Sequence, residues 1–358
     1  MVLCDASLKY MRAVVLKDVG NLMVTDVNIP ICQAGDVLVK VEACAICKTD
    51  TKMYRVGQRD LRMPRILGHE ISGVVVQVGQ HVSGICEGER VQIAPGLPCG
   101  NCYFCLKGMT NLCDTMLIIG FHYDGGFAEY VLVPQNGIEN GCLSTVPEGL
   151  TFEEAALAEP IACCLNSQRL CGVGVGDIVA ILGAGPLGHM QAQVARSLGA
   201  TAIAIIERDA SRLSFAENGT YDWFMDASHS DPVVEVLERT QGRGVDVVLC
   251  ASADPQVPLQ GISMLRKGGR ISLFSGLPYG AEQILLDHNL VHYKQLQLYG
   301  AYGCTSEQNR TAIDMLAGRK INVDWLITHR IPLDEIVGGF TLVDNHNAMV
   351  AVVTQFKN

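Results

Sequence analysis

Ile178-Val179-Ala180-Ile181-Leu182-Gly183-Ala184-Gly185-Pro186-Leu187-Gly188 is the stretch from which the fold is read. Five apolar residues, mostly β-branched, predict a strand. Three glycines follow at G-x-G-x-x-G spacing, and Pro186 opens a predicted helix over 186–198. In such a turn the first glycine permits the tight bend, the second lets the backbone approach a pyrophosphate, and the third lets helix pack on strand. The helix N-terminus then offers free N–H groups and the positive end of its dipole to phosphate. A second predicted strand, Ala202–Glu207, ends on an acid about where dinucleotide folds bind a ribose hydroxyl. A glycine-rich turn without a ligand is the competing reading, and the strand–helix–strand context with its terminal Glu207 opposes it. The Glu207 carboxylate suits the ribose of NAD and repels the extra phosphate of NADP, so NAD is the expected cofactor. Arg208, next along, would favour that phosphate unless it is simply a solvated strand-end residue.

Moving outward, Val245–Cys250 and 270–274 repeat the strand signal after glycine-containing turns. Strands alternating with helices imply parallel βαβ units, an α/β class with a doubly wound sheet. Before about residue 158 the pattern is different. Met11–Leu16, Val37–Glu42, Ile71–Val78 and Glu129–Val133 read as short alternating strands between turns. Thr151–Leu170, rich in Ala, Glu and Leu, reads as one or two helices joining the halves. From Ala301 the pattern returns to a helix, Ser306–Ala317, and short strands. The expected domains are therefore 1–158, 159–300 and a returning segment 301–358.

Composition excludes several classes. A chain of 358 residues with 49% hydrophobic and 18% charged residues is globular rather than disordered. A formal net charge of -10 argues against nucleic acid, whose phosphates attract basic surfaces. No window holds the roughly 20 apolar residues of a membrane span. The start of the sequence lacks the basic and apolar regions of a signal peptide. Fifteen cysteines without such a signal predict a cytoplasmic protein with reduced thiols. Ten of them, Cys4, Cys32, Cys44, Cys86, Cys142, Cys163, Cys164, Cys171, Cys250 and Cys304, are expected to be mostly buried small hydrophobes.

The other five sit in metal-like contexts. Cys99, Cys102, Cys105 and Cys113, within a lobe spanning 95–115, have C-x2-C-x2-C-x7-C spacing that suits one tetrahedral ion. A closed shell of four thiolates leaves no position for substrate, so a structural zinc is expected; an iron–sulfur cluster uses four thiolates too. Cys47, with His69-Glu70 and the carboxylate of Glu159, offers a mixed shell with a position left open, as catalytic zinc requires. Cys44 and Cys47 as a redox pair, and His69 as an ordinary strand-end residue, are the plainer alternatives.

Together the Cys47 segment, Gly68-His69-Glu70, the four-cysteine lobe, Gly125-Gly126-Phe127-Ala128-Glu129-Tyr130 and Gly183–Gly188 resemble the zinc-dependent medium-chain dehydrogenase/reductase family over nearly the whole chain. Within it, Glu159-Pro160, Asn289–Tyr293 and Ile327–Arg330 look most like the sorbitol/L-iditol 2-dehydrogenase branch. The resemblance implies a GroES-like catalytic domain, a Rossmann cofactor domain and an active site in the cleft between them. It implies two zinc ions, one structural and one held by Cys47, His69 and either Glu70 or Glu159. Thr49 matches a hydroxyl that passes the substrate proton outward, and Asp50 a partner that orients His69. Gly183, Gly185, Pro186, Leu187, Gly188, Glu207, Arg212, Ser275, Gly276, Leu277, Ala301 and Tyr302 match cofactor positions. The implied reaction is reversible NAD-linked oxidation of a secondary alcohol in a small polyol, by a homodimer or homotetramer. L-threonine or a sugar-alcohol phosphate is the alternative substrate, with Lys48 and Lys52 the cations available to a phosphate. A zinc-stabilised nucleotide-binding protein without turnover is the alternative from another class. Two positions depart from the branch: Lys52 stands where a histidine is common, and Ala301-Tyr302-Gly303-Cys304 lacks an Arg-Tyr pair.

Overall fold

The computed structural model describes residues 9–215 and 218–357; Cys4 lies outside them. The chain divides into two compact units. One contains the residues up to Ala162 with Cys304–Arg319 and the chain from Val323 onward; the other contains Cys163–Gly303 and Lys320–Asn322.

In the first unit β1 (Tyr10–Asp18) pairs with β2 (Asn21–Asn28) and, on its other side, with β4 (Arg65–Ile66). A larger sheet runs β10 (Leu143–Thr145), β6 (Arg90–Ile93), β5 (Glu70–Val78), β3 (Val37–Ala45), β18 (Val350–Gln355), β17 (Ile327–Pro332). One half of β3 also pairs with β9 (Tyr130–Val133), and its last residues pair with β18. Val37, Val39, Val41, Ile71, Val75, Val91, Val131 and Val353 fill the core beside the sheet. The helices are α1 (Lys48–Val56), α2 (Tyr103–Leu106), α3 (Gln135–Glu139), α4 (Phe152–Ala156), α11 (Ser306–Ala317) and α12 (Ile336–Asp344). β7 (Gly96–Leu97) and β8 (Leu117–Ile118) close the base of the cysteine lobe. Local chemistry starts two of these helices: Thr151 accepts from the Glu154 N–H while Glu154 accepts from the Thr151 N–H, and Thr305 with Gln308 repeats the arrangement.

The second unit is a six-stranded, wholly parallel sheet. Its order is β13 (Trp223–Asp226), β12 (Ala202–Glu207), β11 (Ile178–Leu182), β14 (Val245–Cys250), β15 (Leu265–Leu273), β16 (Gln297–Gly300). Its connections carry α6 (Pro186–Ser197), α7 (Ala210–Leu213), α8 (Pro232–Arg239), α9 (Val257–Met264) and α10 (His288–Lys294). Period-2 alternation sends Ala180, Leu182, Ile206 and Val248 into one core, and Val179, Ile181, Ile205 and Val247 into the other. Both faces are therefore covered, which is why these strands are apolar at almost every position. α5 (Ala158–Cys171) contains the boundary between the units.

Two features differ from the sequence reading. The helix α1 was not signalled, because Lys48-Thr49-Asp50-Thr51-Lys52 shows no apolar stripe; Asp50, Thr51 and Met53 are its buried residues. Cys86 is exposed, and Cys32, Cys163 and Cys304 are only half-buried, whereas Cys44, Cys142, Cys164, Cys171 and Cys250 are core residues as expected. Among the described residues no helix is long and apolar enough to cross a membrane.

Candidate active site

The first cluster grows from the start of α1. Cys47 precedes the helix, and its N–H donates to Asp50 Oδ2 at 3.0 Å. C-x-x-D thus acts as a helix-start device, and the same carboxylate reaches further. Fully buried, Asp50 also accepts from the Gly68 N–H at 3.3 Å and lies 3.2 Å from His69 Nδ1. An Nδ1–H held by Asp50 leaves the lone pair of Nε2 available for a metal. Gly68 has φ of +92°, and a Cβ there would stand 2.8 Å from Cys44 Sγ, so the approach to His69 requires glycine. The segment Gly125-Gly126-Phe127 clamps this approach, its N–H groups donating to the carbonyls of Ile66, Gly68 and Leu67 at 2.8–3.0 Å.

Ligand atoms of Cys47, His69 and Glu70 lie within 4.8 Å of one another. Their electrostatics fit a cation. Burial pushes the Glu70 carboxyl up to about 8; His69 opposes this, while the charges of Glu159 and Asp50 add to it. Burial also raises the Cys47 thiol. For His69 burial works against the imidazolium, yet Asp50 and Cys47 together hold its pKa well above the ordinary value. A thiol and a carboxyl withdrawn from water at this spacing ionise together at little cost only beside a cation, and a multivalent one also takes the Nε2 lone pair of the neutral His69 ring. Sulfur, nitrogen and oxygen donors with a position left over suit zinc.

Glu159 is not in this group of three. Its Oε1 lies 3.8 Å from the Cys304 sulfur, and its charge acts on Glu70. Thr49 is half-buried on the first turn of α1, and its hydroxyl has no partner among the described residues. Lys52 is exposed. Lys48 is bound by Asp344, whose Oδ1 is 3.3 Å from the ammonium and which also takes the Thr51 hydroxyl at 2.6 Å and pairs with Arg55. Asp344, Asn309 and Gln92 near these elements were missed by sequence reasoning. The bonds that matter here, Asp344 to Lys48 and Thr51 and Asn309 to Gln92, span 217 to 296 residues, so nothing local marks them.

In the cysteine lobe the four sulfurs of Cys99, Cys102, Cys105 and Cys113 also lie within 4.8 Å of one another. Backbone N–H groups of Cys99 and Cys102 point at the sulfurs of Cys113 and Cys99, at 3.2 and 3.4 Å. Hydrogen bonds from the Asn101 and Cys102 backbone lower the Cys99 thiol to about 6, while burial and its sulfur neighbours push Cys105 to about 12. Four thiolates at this spacing therefore need a cation. Of the apolar residues among and between the four cysteines, Tyr103, Leu106, Met109 and Leu112 are exposed and Phe104 is half-buried, so little apolar burial is available in place of a metal.

The second cluster is the glycine turn of the other unit. Gly183 has φ of +114°, and a Cβ on Gly188 would overlap the Gly183 carbonyl oxygen. Gly185 precedes α6 and Pro186 is its first residue. Glu207 ends β12 with 8% exposure, its Oε2 accepting from the Ala184 N–H at 2.8 Å. Arg212 Nη1 is 3.8 Å from the same oxygen and packs on Gly185. Arg208 is drawn off by Asp254 at 2.7 Å. Because every strand is parallel, half-buried Leu187, Ser275–Leu277 after β15, and Ala301–Tyr302 after β16 lie at the same carboxyl edge as Glu207. In open α/β sheets that edge is where ligands bind.

Comparison with known proteins identifies the class. Residues 33–141 match the alcohol dehydrogenase GroES-like domain, and residues 186–318 match the zinc-binding dehydrogenase family. The chain is 35% identical over 310 residues to L-threonine 3-dehydrogenase of Pyrococcus furiosus, covering 85% of this chain and 86% of that protein. It also resembles a zinc-binding dehydrogenase of Sinorhizobium meliloti 1021 bound to NADP. There the TM-score is 0.90 at 34% identity, over 97% of this chain and 100% of that one. For 2R,3R-butanediol dehydrogenase of Bacillus subtilis the TM-score is 0.87 at 27% identity, over 96% of this chain and 100% of that one. The chain belongs to the zinc-dependent medium-chain alcohol dehydrogenase family. It is an NAD(P)-linked oxidoreductase with a GroES-like and a Rossmann domain, as its sequence predicts.

Proposed function

We propose that this enzyme reversibly oxidises a secondary alcohol carrying a neighbouring hydroxyl, as in a small polyol, to the ketone with NAD. The observation that carries the reading is the convergence of Cys47, His69 and Glu70, with Asp50 behind His69 and Thr49 one helical turn or less away. Cys47 and His69, with Glu70 or Glu159, would hold the catalytic zinc, and Cys99, Cys102, Cys105 and Cys113 the structural one. When bound, zinc supplies Lewis acidity toward the alcohol oxygen and NAD supplies the hydride acceptor. Asp50 keeps the His69 ring in one tautomer and orientation. Thr49 accepts the alcohol proton at its Oγ1 and passes its own outward. Glu207 selects NAD, because its carboxylate closes the end of β12 to a phosphate while Asp254 occupies Arg208.

A phosphorylated substrate is disfavoured, since Asp344 already neutralises Lys48 and Lys52 faces solvent. L-threonine is the second reading, favoured by the 35% identity to L-threonine 3-dehydrogenase. It too is a secondary alcohol with a polar neighbour. Steady-state kinetics on polyols, 2,3-butanediol, L-threonine and primary alcohols, each with NAD and NADP, separate the two. Oxidation of primary alcohols alone refutes both. Thr49→Val keeps the shape and removes the proton path, so kcat on the preferred substrate should fall roughly 10² to 10⁴-fold. An unchanged kcat where chemistry limits the rate refutes the proton role.

A further inference from the structure

Two amides in the first unit are wholly buried: Gln92 on β6 and Asn309 on α11, each 0% exposed. Burying an amide costs free energy that its hydrogen bonds must offset, so their direction is informative. Gln92 Nε2 donates to Asn309 Oδ1 at 3.2 Å. Asn309 Nδ2 donates to the Thr305 carbonyl at 3.0 Å and to Cys304 Sγ at 3.1 Å. These contacts fix which end of Asn309 is nitrogen. A sulfur that accepts from Asn309 has its own S–H to give, and the oxygen acceptors within its reach include the carbonyl and Oε1 of Glu159, at 4.0 and 3.8 Å. The result is a chain of donors running one way, from β6 through α11 to a carboxylate on α5.

We propose that Cys304 is a positioning residue, which Asn309 and Gln92 aim at the Glu159 carboxylate and which holds that carboxylate in the orientation it takes toward the catalytic zinc. This deepens the proposed function and rests on the alternative within it that gives Glu159, rather than Glu70, to the catalytic zinc. A thiol is a weak donor, so its contribution comes from being held in place. The buried amides leave Cys304 little rotational freedom, and with the S–H aimed at Oε1 the carboxylate swings less. Groups that orient a metal ligand in this way are typically worth about 10 to 100-fold in metal affinity. A purely structural purpose for Asn309, tying down the start of α11, is met by its bond to Thr305 alone and leaves the bond to sulfur without a purpose.

The test follows zinc leaving the intact holoenzyme into a chromogenic chelator, where the open site and the cysteine lobe should release in separate phases. Cys304→Ala should speed the open-site phase about tenfold and leave the lobe phase unchanged. Cys304→Ser, which keeps a donor, should fall between that variant and wild type, and Asn309→Ala should behave like Cys304→Ala. With cobalt in the open site, the visible bands of Cys304→Ala should shift. Glu159→Gln is the control on the underlying reading. If it leaves open-site release unchanged, Glu159 is no zinc-site residue; that assignment and positioning by Cys304 fall together, and Glu70 is left as the zinc carboxylate. If it speeds release while Cys304→Ala changes neither rate nor spectrum, positioning by Cys304 alone is refuted. Should Cys304→Ala fold poorly, Cys304→Val, which fills the space without a donor, decides: an unchanged release rate and cobalt spectrum overturn the proposal.

Discussion

Asp50→Asn tests the centre of the proposed catalytic site with almost no change in shape. The wild-type carboxylate serves three donors with two oxygens: Oδ2 takes the Cys47 N–H, and Oδ1 takes the Gly68 N–H and faces His69 Nδ1. Asparagine has one oxygen and one NH2, so one side must present a donor to a donor. With the NH2 toward Cys47, the helix start loses its acceptor. With the NH2 toward His69, the ring is driven to the tautomer that protonates Nε2, and its lone pair is lost to the metal. Each route forfeits a hydrogen bond to a charged group, about 1.5–3 kcal/mol. On the metal's scale that is roughly 10 to 100-fold in affinity. The assay is competition between the enzyme and a chelator of known affinity, with thermal unfolding as the control for the fold. We expect the open site to lose zinc in that range while the cysteine lobe retains its own, and kcat to fall even at saturating zinc because His69 is misoriented. Asp50→Asn with wild-type zinc affinity and kcat would refute the argument.

Further outcomes follow from other parts of the chain. Cys102→Ser should lower metal content from two zinc ions per chain to one and reduce the unfolding temperature, because three thiolates do not complete the tetrahedron; elemental analysis of fully active wild type showing one ion would contradict this. Glu207→Ala should weaken NAD and improve NADP, raising the NADP/NAD ratio of kcat/KM, and a wild-type enzyme that already prefers NADP would overturn the role given to Glu207. His189, 1% exposed at the start of α6, has its pKa pushed down by burial to about 4, against 6.5 for the free side chain. Above about pH 7 the ring is neutral folded or unfolded and stability is flat in this term. As pH falls from 6.5 toward 4, the unfolded chain binds a proton that the buried ring refuses. Stability therefore declines by at most ~1.4 kcal/mol per pH unit, about 3 kcal/mol in all. His189→Gln should remove that component, seen as a shallower loss of unfolding temperature between pH 6.5 and 4 than in wild type.

Much was determined by the sequence alone, wherever the chemistry is local. Gly183–Gly188 declares its turn because a Gly188 side chain would collide with the carbonyl of the residue that begins the same motif. The strands of the parallel sheet are legible because burial on both faces leaves a continuous apolar run, and the cysteine lobe because its four ligands fall within fifteen residues. The helix α1 was not legible, because its buried residues Asp50, Thr51 and Met53 form no apolar stripe, and the Cys47–Asp50 helix start emerged only in the fold. The tertiary structure decided the rest, since what matters there is direction rather than distance along the chain. Only folding turns Asp50 toward His69, nineteen residues on, and takes Lys48 out of play by bringing Asp344 to it. Only folding converts Cys304 from an apparent core filler into the last link between buried amides and Glu159. A hydrogen bond between residues more than a hundred positions apart leaves no periodicity and no composition behind it, because its cause is the packing of β6, α5 and α11.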